Sequence, residues 1–221
     1  MIKFTDVANG EINHAEKTVE NMSTTEAGLT LDEAKEYWDD VFEQRDEITL
    51  ADILNKSESE FSFNFDIEDF KEILEQFKID NWDIKTDSEK MDLVEELKDK
   101  ICEKLGIENP PEIEFFEDDY SNCGFFYAPL NVFGINVCEL KDPRELVNTI
   151  AHELRHAYQQ MRAENPKTEM DNLYRANFAQ YISPIFDEEG NCLFFTDYEG
   201  QLVEAEARAF AKLFDIGGNQ A

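Results

Sequence analysis

His152, Glu153, Leu154, Arg155 and His156 stand consecutively, and this run holds two of the three histidines in a chain of 221 residues. On a helix, positions i and i+4 sit one turn apart on the same face, so both imidazoles can converge on one metal ion. Glu153 flanks that face. From there its carboxylate can take a proton from a water polarised by the ion without binding the ion itself, which is the chemistry of a zinc hydrolase. The run must lie on a helix to work, and its flanks supply one. Asp142 suits the N-cap, Pro143 the first helical position and Glu145 the acid of a capping box. Leu146, Ile150, Leu154, Ala157 and Met161 recur at helical spacing as a stripe to be buried, with His152 and His156 beside it near Glu145 and Thr149.

A catalytic zinc takes three protein ligands and keeps a position open for water. The third histidine, His14, lies in a polar segment with no other ligand types at helical spacing and reads as a surface residue. A carboxylate is the expected third donor, and the final helix offers Glu204 and Glu206. Two residues apart, they point to separate faces and cannot both reach the ion. Ala207, Phe210, Ala211 and Phe214 mark the inner stripe of that helix, and Glu204 falls on the same side, which favours it; Glu206 is the alternative. Tyr198, six residues before Glu204, is the candidate donor to the oxyanion that hydrolysis creates, with Tyr158 and Tyr127 as weaker candidates. An edge strand above the metal helix, assigned to 132–137, would bind a peptide by strand addition and make polypeptide the substrate.

The elements that must position these residues can be read along the chain. Residues 1–28 are polar and aperiodic, a poorly ordered lead-in. From Thr30, the spacing of Leu31, Ala34, Tyr37, Trp38, Val41 and Phe42 predicts an amphipathic helix. Phe61, Phe63 and Phe65 alternate as in a short strand, and Phe70, Ile73, Leu74 and Phe77 continue at helical spacing. Polarity rises at 85–87, so 29–86 reads as a mainly helical N-terminal region and 87–221 as a second domain. That domain opens on a helix capped by Ser88 or Asp87 and ended by Gly106. Three strand-like runs follow, 113–116, 124–127 and 132–137, the last two joined by a short hairpin link. Then come the metal helix, a helix carrying Met170, Leu173, Tyr174, Phe178 and Tyr181, and a last helix over 202–214. The class is α+β, with a small, mostly antiparallel three-stranded sheet.

Composition narrows the partners. With 51 acidic against 20 basic residues the net charge is −31, which repels phosphate backbones and anionic membranes and favours basic protein partners. Hydrophobic residues make up 42% of the chain, including 18 Phe, enough for a packed core. No stretch has the apolar length of a membrane span, and the first residues lack a signal peptide's apolar core, so a cytoplasmic location is the default expectation, with secretion without a cleaved signal the alternative. Cys102, Cys123, Cys138 and Cys192 show no Cys-x-x-Cys pairing and read as mostly buried thiols, with disulfides the alternative.

The tracts Gly124-Phe125-Phe126-Tyr127, Ile135-Asn136-Val137, Asn148 to His156 and Glu204 to Ala211 resemble those of a minimal gluzincin metallopeptidase. Such domains are found in bacterial toxin-like and mobile-element proteins, and are more remotely similar to the catalytic domain of anthrax lethal factor. The resemblance covers residues 88–221 and implies a zincin-like fold, with His152, His156 and Glu204 as zinc ligands and Glu153 as general base. Glu204, Ala207 and Phe210 satisfy the family's E-x-x-A-x-x-F frame. One position departs. Many gluzincins carry an acid four residues after the glutamate ligand, where this chain has Arg208, so a carboxylate that holds a ligand histidine must come from elsewhere. Two functions follow as expectations: a zinc metalloendopeptidase acting on a protein or peptide, and a zinc-stabilised, non-catalytic acidic domain that binds a basic protein.

Overall fold

The computed structural model describes residues 48–117, 123–186, 192–193 and 195–216. The chain divides into two units, Met1–Ile48 and Thr49–Ala221. His14 and the amphipathic run from Thr30 lie outside the described residues.

The second unit begins with a short helix, Leu50–Ile53 (α1), closed by a capping box between Thr49 and Asp52. Residues 61–66 belong to no helix or strand and are extended at both ends, at Phe61 and Asp66, with Phe61, Phe63 and Phe65 half-buried and Ser62, Asn64 and Asp66 exposed. The expected alternation is therefore present, but no described strand pairs with the segment. Aromatic packing holds it instead: the rings of Phe63 and Phe65 meet Phe210 edge-on at 5.4 and 5.0 Å. Helices Lys71–Gln76 (α2) and Ile79–Trp82 (α3) follow. Trp82 stacks on Phe77 and donates its indole N–H to the Leu140 carbonyl at 2.8 Å.

The 19-residue helix Asp87–Leu105 (α4) starts one residue earlier than the sequence suggests, because Thr86 and Glu89 form the capping box. Neither Ser88 nor Asp87 is the cap. Gly106, in the left-handed conformation at φ 71°, ends the helix as expected. Phe70, Ile73, Phe77 and Trp82 share one core with Val94, Leu97 and Ile101 of α4 and with Ile150 and Leu154. Packing thus runs across the boundary drawn near 86, and the polar stretch there is a turn between helices.

Strands Glu112–Phe116 (β1), Gly124–Tyr127 (β2) and Val132–Asn136 (β3) form a sheet in the order β1-β3-β2. β2 and β3 make the expected antiparallel hairpin, through a tight turn at Ala128–Leu130 and Asn131 at φ 50°. β1 pairs parallel to β3. The sheet is therefore mixed rather than mostly antiparallel, and the strand expected at its edge lies at its centre.

The 22-residue helix Pro143–Glu164 (α5) passes beneath this sheet and carries the His-Glu-x-x-His run. Asp142 Oδ1 accepts both first-turn N–H groups, from Arg144 and Glu145, at 3.1 and 3.2 Å. Leu146, Val147, Ile150, Ala151, Leu154 and Ala157 are buried, a wider face than the predicted stripe, and Met161 is partly buried. Full burial of Leu146, Ile150 and Leu154 contributes about 1.5–3 kcal/mol each. The remaining elements are Glu169–Ala179 (α6), the two-stranded antiparallel Ile185–Phe186 (β4) and Cys192–Leu193 (β5), Phe195–Glu199 (α7) and Leu202–Ala211 (α8). A 3-10 turn, Lys212–Phe214, completes the helix expected over 202–214. α5 packs against α4, α6, α8 and β2. Among the described residues no helix is long and apolar enough to cross a membrane.

Asp171 joins α6 to α5. Its buried carboxylate accepts from Arg162 Nε and NH2 at 2.7 and 2.8 Å and from the N–H groups of Lys167 and Thr168 at 2.8 and 2.9 Å. Burial alone would raise its pKa, but Arg162 and these N–H groups outweigh burial and hold it at about 2, against an ordinary 3.8. A depressed folded-state pKa stabilises the fold above the unfolded value, and the contribution is lost as pH falls through the folded one. Asp171→Asn is expected to cost about 2 kcal/mol at pH 7. Urea denaturation at several pH values should show the gap from wild type narrowing between pH 4 and pH 2.

Candidate metal centre

α5 and α8 make the most extensive helix contact in the unit, and it brings three of the predicted ligands together. His152 and His156 face one another on successive turns of α5, with Nε2 atoms 3.1 Å apart. From the first turn of α8, Glu204 sets Oε2 at 3.5 Å from His152 Nε2 and Oε1 at 3.4 Å from His156 Nε2. Among the described residues, these form the group of three side chains whose donor atoms lie close enough to hold one ion. Ligand bonds of about 2.0–2.1 Å at tetrahedral angles would separate the donors by about 3.3–3.4 Å. The two Nε2 atoms lie slightly closer than that edge and each Glu204 oxygen stands near it from one histidine, and two imidazoles with one carboxylate form a donor set that suits zinc.

Glu204 is 1% exposed, and a carboxylate that far from water must have positive or donating partners. Burial, the largest influence, raises its pKa, but His156 and His152 outweigh burial and hold it well below the usual carboxylate range. The partner effect appears on His156: burial lowers its pKa, yet Glu204, Glu153 and Gln159 together lift it to about 9. A proton thus does in the metal-free chain what a cation could do in its place. Glu153 lies close enough for its charge to act on His156, Tyr198 and Cys123.

Two tyrosines complete the site. Tyr181, expected on the apolar face of a helix, falls past the end of α6 and donates its O–H to Glu204 Oε1 at 2.6 Å. Its ring meets that of Tyr198 at right angles, 6.4 Å between centroids. Burial, then the negative charges of Glu204 and others nearby, push both phenols well above their ordinary range, so both keep their protons. Tyr158, by contrast, lies beneath the Arg155 guanidinium at 4.3 Å, and Tyr127 ends β2 opposite Val132.

Gln201 holds the two tyrosine segments in place. Fully buried at the N-cap of α8, it accepts from Ile182 N–H at 2.7 Å and from Asn177 Nδ2 at 3.2 Å. It donates to the carbonyls of Ile182 and Tyr198 at 2.9 and 3.1 Å. Every hydrogen-bonding position of its amide is used, which ties the neighbour of Tyr181 and Tyr198 itself to the helix that carries Glu204.

Glu206, the alternative ligand in sequence, is turned away from the candidate site formed by His152, His156 and Glu204. Two residues along a helix is more than half a turn, and its carboxylate meets Arg155, Tyr174 and Gln159. Arg208 donates to Glu58 Oε1 at 3.1 Å and to the Glu199 carbonyl, with NH1 3.9 Å from Glu204 Oε2. Sequence reasoning missed Tyr181, Gln201 and Gln159. Gln159 had a usable signal, three residues after His156 on the same helical face. Tyr181 had none, because only the return of the chain after α6 brings it to Glu204.

The chain matches no protein-family model, no curated protein and no solved structure. The site's own geometry therefore carries the functional argument. Tyr181→Phe removes the hydroxyl that orients Glu204 and is expected to weaken affinity for Zn²⁺ about tenfold. Competition with a chromophoric chelator measures this, and an unchanged affinity would contradict the role assigned to Tyr181.

Proposed function

We propose that this chain is a zinc metallopeptidase of the gluzincin type. The convergence of His152, His156 and Glu204 beside Glu153 is the observation that carries the reading. His152 and His156 would hold the ion through Nε2 and Glu204 through its carboxylate. When bound, zinc would acidify a water and polarise the scissile carbonyl. Glu153, next to His152 on the same turn, would serve as the general base for the attacking water and then return the proton to the leaving amine nitrogen. Tyr198, whose O–H stays protonated, donates to the carbonyl oxygen as negative charge builds there. Tyr181 keeps Glu204 oriented for the ion.

A polypeptide substrate is supported by the sheet edge nearest α5. In the order β1-β3-β2 that edge is β2, not β3. The Cys123 carbonyl accepts from Asn136 N–H at 3.0 Å, so by antiparallel alternation Gly124 and Phe126 turn their backbone N–H and C=O groups outward, where an extended peptide could pair. Gly124 keeps this strand close to the helix, since a Cβ there would sit 2.7 Å from Thr149 Cγ2. The net charge of −31 favours basic segments as substrate.

A second reading, a zinc-stabilised acidic domain without turnover that binds a basic protein, is favoured by one observation: Arg208, 3.9 Å from Glu204, where an acid would support catalysis. Cleavage of a peptide library by the zinc-loaded chain separates the two. Glu153→Gln is expected to lower kcat by about 10²–10⁴-fold while the chain keeps its zinc. Cleavage undiminished in that variant would refute the role of Glu153. Zinc and partner binding without any turnover in wild type would select the second reading.

A further inference from the structure

Gln159 is fully buried on α5 and its amide has three neighbours. Its Nε2 lies 3.0 Å from the Val203 carbonyl and 2.7 Å from Glu206 Oε2, and its Oε1 lies 2.8 Å from His156 Nδ1. A primary amide has one donating end and one accepting end. A backbone carbonyl and a carboxylate only accept, so both amide hydrogens must point at Val203 and Glu206. The oxygen is left for His156, and a ring nitrogen facing an oxygen must carry the proton. Turning the amide over would set its oxygen against two acceptors in a buried place, leaving three groups unsatisfied.

Glu206 is itself immobilised. Arg155 NH2 and the Tyr174 hydroxyl donate to its Oε1 at 2.6 and 2.7 Å. Arg155, Tyr174 and Glu206 are all buried, and the Arg155 guanidinium is packed against the rings of Phe63, Tyr158 and Phe210. We infer that Glu206, although it does not face the candidate site, fixes a proton on His156 Nδ1 through Gln159, so that Nε2 is the nitrogen left to give up its proton and turn a lone pair to an ion between His152 and Glu204. Gln159 and Glu206 are positioning residues. This inference rests on the metal-site reading for its purpose but not for its geometry. It also accounts for Arg208: the carboxylate that orients a ligand histidine comes from position 206, relayed through an amide, instead of from position 208.

Two measurements on the whole chain test it. The first is the imidazole N–H spectrum of ¹⁵N-histidine-labelled protein without metal, where a slowly exchanging proton on His156 Nδ1 is expected in wild type and should vanish in Gln159→Met. The second is zinc affinity, expected to fall 10- to 100-fold in Gln159→Met. It should fall less in Glu206→Gln, whose amide can accept as well as donate and so lets Gln159 turn over. A merely space-filling Gln159 would leave affinity within twofold in the Met variant, which would overturn the inference. So would a wild-type spectrum lacking the Nδ1 proton, or zinc bound through Nδ1, and both are readable even if Gln159→Met fails to fold. A wild-type chain that shows the proton but takes up no zinc would sink the metallopeptidase reading and leave the relay standing.

Discussion

The buried charge on Glu204 is the constraint from which the rest of the unit follows. A carboxylate removed from water is tolerated only where donors and positive charge surround it, and here they come from three separate places: two turns of α5, the segment after α6, and the first turn of its own helix, where the helix dipole also favours an acid. No single element could meet that demand. The wide apolar face of α5 and the alanine-rich face of α8 let the two helices approach closely enough for side chains as short as Glu and His to converge.

The polar groups around the charge are organised in a second ring that is almost wholly hydrogen-bonded. Gln201 and Asn177 hold the tyrosine segments on one side, and Gln159, Glu206, Arg155 and Tyr174 hold His156 on the other. Such networks rigidify a site when complete and destabilise it when one partner is missing. Arg155 shows both aspects: NH2 is paired with Glu206, while Nε, buried with no hydrogen-bond partner among the described residues, lies in a side chain packed on aromatic rings. Rigidity of this kind is what a metal site needs if its donors are to be placed before the ion arrives.

The parts of the site that depend on local periodicity were legible in the sequence. His152 and His156 share a face because they are four apart on a helix, and Glu204 was separated from Glu206 by the face it shares with Ala207 and Phe210. Pairing partners were not legible, since β1 could have joined either strand of the hairpin, and only tertiary packing placed it beside β3. Alternation at Phe61, Phe63 and Phe65 was equally silent on whether a ladder or an aromatic cluster would bury one side. Tyr181 and the relay through Gln159 depend on where chain segments return in space, and on an amide orientation that three neighbours decide together.

Side chains of both helices must hold one ion if His152, His156 and Glu204 form a metal centre. Elemental analysis of zinc in the untagged chain, beside His156→Ala and Glu204→Ala, tests that claim. About one zinc per chain in wild type and none in either variant is the predicted result. Absence of zinc from wild type after incubation with the metal, or its retention in Glu204→Ala, would contradict it.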